Sequence, residues 1–163
     1  EMKATGEVLG VGKEFGTALN KAYAAAGVEI NNKEKGIFVT LSDSEKPNFI
    51  QTVNKYLELG FTLYSTEGTG KFLKTNGIDS VIVGKADDLG QTSLTIIEDK
   101  LVSLVINTPT YANELSDGWK IRRLSHETGV AVVSSVREAD AFIEAFLNQN
   151  LVLDDLEVIQ DVS

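Results

Sequence analysis

The sequence predicts an α/β protein: an open five-stranded parallel sheet with helices on both faces, three layers in all. Three observations predict it. Strand-like and helix-like stretches alternate five times from Gly36 onward. The strand-like runs are continuously apolar rather than in-out alternating, as expected of strands covered on both faces. Glycines, hydroxyl residues and lysines recur just after those runs, where strand-to-helix turns fall.

Each element has its own reason. Ile37 to Leu41 is an apolar, β-branched strand. Ser42 to Pro47 reads as a turn and helix start, with Ser44 as N-cap and Glu45 in the first turn. Phe49, Ile50, Val53, Tyr56 and Leu57 form one helix face, and Gly60 ends it. Phe61 to Tyr64 is the second strand. It runs into Ser65-Thr66-Glu67-Gly68-Thr69-Gly70, a hydroxyl- and glycine-rich turn opening a short helix with Phe72 and Leu73 on its apolar face. Gly77 closes that helix, and Val81 to Val83 is the third strand. Asp87 to Ser93 reads as a polar loop, and Leu94, Ile97 and Leu101 as the next helix face. Val102 to Ile106 is the fourth strand. A loop containing Asp117-Gly118 leads to a helix from about Trp119 to Thr128, and Val130 to Val133 is the fifth strand. Ala139, Phe142, Ile143, Phe146 and Leu147 mark the last helix face; Leu151 to Val162 is an acidic, half-apolar strand or tail.

The stretch from Phe61 to Gly70 organises the rest. Gly68 is expected to let the backbone turn and a ligand come close. Thr66 and Thr69 offer hydroxyls beside helix-opening amides, where anions bind. A plain N-cap after a tight turn explains the same residues, and the spacing is not that of a P-loop. Topology adds weight to the anion reading. In a right-handed parallel sheet all strand-to-helix turns lie on one edge, where ligands bind at the reversal of strand order. That edge gathers Ser42, Ser44 and Lys46; Ser65, Thr66, Gly68 and Thr69; Gly84 and Lys85; Asn107, Thr108 and Thr110; Ser134 and Ser135. Lysines, hydroxyls and an amide converging there point to a small anion, best a phosphorylated metabolite.

Composition bounds the function. The chain has 163 residues, with 42% hydrophobic and 24% charged, a globular profile with enough length for one core. Its net charge of −9 argues against nucleic acid and anionic membranes as partners. There is no cysteine, which excludes disulfides, zinc–thiolate sites and thiol catalysis. No run approaches the ~20 apolar residues of a membrane span, and a cytoplasmic location is expected. The first residue is Glu1 rather than Met, so a piece of a longer protein is expected. Residues 1–32 differ in character from the alternating stretch that begins at Gly36. They hold glycines around Val8-Leu9-Gly10-Val11, a helix from Phe15 to Ala26, then a polar linker. This segment reads either as an added helix on the domain or, preferably, as the tail of a preceding domain, with the main domain over 33–163.

Thr5-Gly6-Glu7-Val8-Leu9-Gly10, Ser65-Thr66-Glu67-Gly68-Thr69, Val105-Ile106-Asn107-Thr108 and Ile121-Arg122-Arg123, in that order and spacing, resemble the C-terminal end of the carbamoyl-phosphate synthetase large subunit. The resemblance implies that residues 1–32 end an ATP-grasp synthetase domain. It implies that 33–163 form the allosteric domain with the methylglyoxal-synthase-like fold. Such a domain is not catalytic; it binds UMP or IMP and tunes carbamoyl phosphate synthesis for pyrimidine or arginine production. The matching phosphate-binding positions are Lys46, Thr66, Gly68 and Thr69, and those for ribose and base are Lys85, Asn107 and Thr108. No catalytic or metal-binding residue and no cofactor is implied for this stretch. The parent ligase would use ATP, magnesium or manganese, and potassium. Implied partners are the rest of the large chain and the glutamine amidotransferase small chain. Val133-Ser134 departs from the Asp-Thr pair of ornithine-responsive relatives, which puts an ornithine response in doubt.

Two alternatives stand beside this reading. A methylglyoxal-synthase-like lyase needs a carboxylate base and a histidine at the substrate phosphate. The Gly-Asp-Gln-Gln motif is replaced by Asp88-Leu89-Gly90-Gln91-Thr92, and the one histidine, His126, reads as a helix-end residue. Asp43, Glu45, Glu67, Asp87 and Asp88 read as loop and helix-start acids. A structural module, for example a homo-oligomer contact on the last two helices, is the other alternative. Arg122 and Arg123 are then relay candidates or ordinary surface arginines.

Overall fold

The computed structural model describes residues 35–108 and 117–148. The expectations for 1–32, Thr110 and Leu151 to Val162 lie outside them. The order is β1 (Gly36–Thr40), α1 (Lys46–Glu58), β2 (Leu63–Ser65), α2 (Glu67–Thr75), β3 (Val81–Ile82), α3 (Ser93–Glu98), β4 (Val102–Asn107), α4 (Asp117–Thr128), β5 (Ala131–Val133) and a helix, α5, over 136–148. The strands form a five-stranded sheet in the order β3-β2-β1-β4-β5, every pair parallel. The order reverses between β1 and β4, which fixes where a ligand crevice is expected.

Side chains of the central strands alternate between two cores. Ile37, Val39, Leu104 and Ile106 pack with Phe49, Val53 and Tyr56 of α1, Leu73 of α2 and Phe142 of α5. Phe38, Val105 and Val132 face the other way, onto Ile96 and Ile97 of α3 and Ile121 of α4. The continuous apolar runs are thus period-two strands with both faces covered. Between β1 and β4 the register slips once: Gly36 faces Val102 and Ile37 faces Leu104, so β4 carries Ser103 as an extra residue. On the first face α1 is tied to α5. The Tyr56 hydroxyl donates to Ala139 O at 2.7 Å, and Lys55 Nζ reaches Asp140 at 2.8 Å and Glu144 at 2.7 Å.

Several local expectations are corrected. Ser44 does not cap α1. The N-cap is Glu45, in helical conformation and without a side-chain cap bond, because residues 43–45 already turn ahead of the helix. β3 is a short edge strand, with Val81 and Ile82 exposed rather than covered. α3 stops at Glu98, because Lys100 takes a left-handed φ of 56° and Leu101 N turns back to Ile96 O; Leu101 therefore misses the helix face. Asp117 and Gly118 belong to the first turn of α4 rather than to the loop.

Candidate functional site

The site edge is built by the turns and helix starts at the strand ends. Thr40 ends β1, and its carbonyl accepts from Thr108 N at 3.1 Å, just beyond β4. The buried Thr108 hydroxyl accepts from Ser42 N at 2.7 Å and lies 3.3 Å from Ser42 Oγ. Across β2, Thr69 Oγ1 accepts from Leu41 N at 3.0 Å. Thr66 Oγ1 lies 3.3 Å from Thr40 Oγ1 and 3.4 Å from Thr69 Oγ1. Thr66 and Thr69 thus form one hydroxyl pair and Ser42 and Thr108 another, and bonds of the backbone at the end of β1 join the two into one network across the ends of β1, β2 and β4. Thr40 completes it. It reads in sequence as an ordinary strand residue, and only its place at the last position of β1 marks it.

Lys46 stands over the start of α2. Its ammonium is 3.8 Å from where a Cβ on Gly68 would project, and it pairs with Asp43 at 2.6 Å. The Lys46 side chain is 17% exposed, against 96% for Asp43. The hydrogen bond from Lys46, and then its charge, hold the Asp43 carboxyl below its ordinary range. Gly68 does not make the turn: it lies inside α2, where its missing side chain keeps the approach to Lys46 open. The glycine that permits close packing is Gly70, which a Cβ would drive into Ile82 Cδ1 and to 2.7 Å from Ser65 Oγ.

The helix starts on this edge differ in one respect. Thr92 and Thr95 close α3 with a reciprocal capping box. At α5, Ser135 Oγ accepts from Glu138 N at 3.0 Å while Glu138 accepts from Ser134 N at 2.9 Å. Ser134 and Ser135 are thus cap residues for their own helix. At α2 the N-cap is Thr66, in extended conformation, with no side-chain cap bond, and Glu45 at the start of α1 likewise makes none. The first-turn amides of α2, with their share of the helix's positive end, face the edge without a cap from the chain.

The nucleoside candidates are placed less directly. The buried Asn107 donates from Nδ2 to Gly118 O at 3.0 Å, tying β4 to the start of α4. Lys85 is exposed in the loop after β3; its backbone N donates to Asp88 at 2.9 Å. That loop leans on α4 through Ala86 N to Asp117 at 3.4 Å and Lys120 to Asp87 at 3.4 Å. The start of α4 therefore links Asn107 to the Lys85 loop, and neither is bonded to the hydroxyl network. His126 lies in the last turn of α4. Because α4 begins on the site edge and runs toward the start of β5, His126 is about 13 Å along the helix from Asp117. Arg123 stacks on Trp119 at 5.4 Å and pairs with Glu127, while Arg122 Nε is buried without a hydrogen bond.

The sequence profile of the MGS-like domain matches residues 48–134. The chain belongs to the MGS-like domain family. This MGS-like domain is 38% identical to the carbamoyl phosphate synthase large chain of Lachnoclostridium phytofermentans, over 91% of this chain and 14% of that one. It is 38% identical to the carbamoyl phosphate synthase large chain, C-terminal section, of Aquifex aeolicus, over 89% of this chain and 27% of the relative. With the corresponding C-terminal section from Methanocaldococcus jannaschii it shares 36% over 89% of this chain and 24% of the relative. The chain thus spans between 14% and 27% of the length of these relatives. Among the described residues no helix is long and apolar enough to cross a membrane.

Proposed function

We propose that this MGS-like domain is the effector-binding, regulatory part of a carbamoyl phosphate synthase large chain, and that its ligand is a nucleoside monophosphate of the UMP or IMP kind. The observation that carries the reading is the uncapped start of α2 beside the largely enclosed Lys46 side chain. Amide dipoles and a cation facing one point make a phosphate subsite. Thr66 and Thr40 supply further hydroxyls at its margin. Thr69 supports the subsite by holding the β1 turn in place. Asn107 and Lys85, joined through the start of α4, take the ribose and base.

Regulation then needs a second surface. Binding shifts the synthetase only if the ligand prefers one arrangement of this domain against the rest of the large chain. The glutamine amidotransferase small chain, ATP, magnesium or manganese, and potassium belong to that larger assembly. Among the described residues no group of three or more His, Asp or Glu is placed to hold a metal.

Calorimetric titration with UMP and IMP tests the reading. Wild-type chain should bind one of them, and Lys46→Ala should weaken binding by about tenfold or more, the scale of one charge-assisted hydrogen bond. Undiminished binding by a folded Lys46→Ala variant would remove the phosphate assignment. Absence of binding by folded wild-type chain would remove the sensor reading for this chain.

A further inference from the structure

We propose that Asp43 is a built-in counter-anion of this site, competing with a phosphate monoester for the Lys46 ammonium and so setting how tightly the ligand is held. The inference rests on the reading that Lys46 receives a phosphate. Four features carry it. The Lys46 side chain is largely enclosed and stands beside the first turn of α2. An ammonium and a helix N-terminus repel one another, so the pair calls for a negative charge. Among the described residues, Asp43 is the only carboxylate within ion-pair distance of Lys46. Finally, Asp43 sits at the rim, 96% exposed, three residues before Lys46, on the short turn over residues 43–45. It can swing into solvent at little cost, whereas Lys46 cannot leave as easily.

The exchange is simple in charge terms. One ammonium serves two anions, a carboxylate of charge −1 and a phosphate monoester of about −1.5 to −2 near neutral pH. The phosphate also collects the α2 amides, which the Asp43 carboxylate does not bond. Any ligand must therefore displace or share Asp43 and tolerate its charge nearby. Removing that charge should tighten binding without adding a contact.

The test is calorimetric titration of wild type, Asp43→Asn and Glu98→Gln with uridine 5′-monophosphate and, separately, inorganic phosphate. Glu98 ends α3 at the far edge of the sheet and controls for the change in net charge. Asp43→Asn should tighten binding of both probes by about two- to fivefold, the scale of an exposed ion pair, while Glu98→Gln leaves it unchanged. Unchanged or weaker binding by Asp43→Asn, or equal tightening by Glu98→Gln, would overturn the proposal while leaving the phosphate site standing. Absence of binding by every variant would overturn both the counter-anion and the site it guards.

Discussion

Gly68 and Gly70 sit two residues apart in α2, and the same substitution at each should have opposite signs. At Gly68 a methyl group finds open space, with Lys46 Nζ the one nearby atom at 3.8 Å. Alanine there gains helix propensity, up to about 1 kcal/mol in a helix interior and less in a first turn. At Gly70 the methyl meets Ile82 Cδ1, lies 2.7 Å from Ser65 Oγ and 3.2 Å from Ile82 Cγ1. Ile82 is half exposed and can rotate away. Ser65 cannot: it is fully buried and its hydroxyl is bonded to Ser80 at 2.7 Å. Forcing a methyl into such packing costs about 1–3 kcal/mol. Set against up to ~1 kcal/mol of propensity, Gly70→Ala should lose about 1 kcal/mol net. For a domain of this size that lowers the midpoint temperature by roughly 3–6 °C. Urea and thermal unfolding of the two variants beside wild type measure it. Gly70→Ala as stable as Gly68→Ala would refute the claim that α2 docks on β2 and β3 through this glycine.

Two further outcomes rest on buried hydrogen bonds. Tyr56→Phe removes the bond to Ala139 O and should cost about 1–2 kcal/mol in urea unfolding. Burial, and then the charge of Asp140, raise the Tyr56 pKa well above its ordinary value. The unfolded chain therefore releases that proton first, so stability is full below about pH 10 and falls as pH rises beyond it. The Tyr56→Phe variant should show a shallower alkaline fall, and an unchanged slope would count against Tyr56 as its source. Lys55, raised by its hydrogen bonds to Asp140 and Glu144, adds a loss of the same sign in both proteins. Thr69→Val keeps the shape but leaves the buried Leu41 N–H without its acceptor, at a cost of about 1–3 kcal/mol. A Thr69→Val variant of wild-type stability in urea would show that the β1 turn does not depend on this bond.

The fold was largely legible because apolar runs and helical stripes are local signals. Phe49, Val53 and Tyr56 are buried where their spacing put them, as are Phe142, Ile143 and Phe146. What escaped depended on residues distant in sequence. Which glycine of α2 is close-packed is decided by Ser65, held by its bond to Ser80, together with Ile82 on the next strand. Whether Thr69 faces a ligand or a backbone amide is decided by Leu41, just past the end of β1. The apolar spacing from Leu94 to Leu101 continued past the end of α3, because a left-handed Lys100, with no glycine or proline to announce it, stopped the helix. At the site, Lys46, Thr66, Thr69 and Thr108 were legible as a group because parallel topology sends every turn to one edge. Ser134 and Ser135 were gathered with them, yet Glu138 three residues after Ser135 was already the mark of a self-capped helix.

The extra residue in β4 has a consequence for chain length. Since Gly36 already faces Val102 and Ile37 already faces Leu104, a chain without Ser103 keeps both partnerships. Leu104 and Ile106 stay in one core and Val105 in the other. In most strands the loss of one residue turns every later side chain to the wrong layer. Here a gap of one is absorbed within a buried strand, a tolerance that proteins ordinarily confine to their loops.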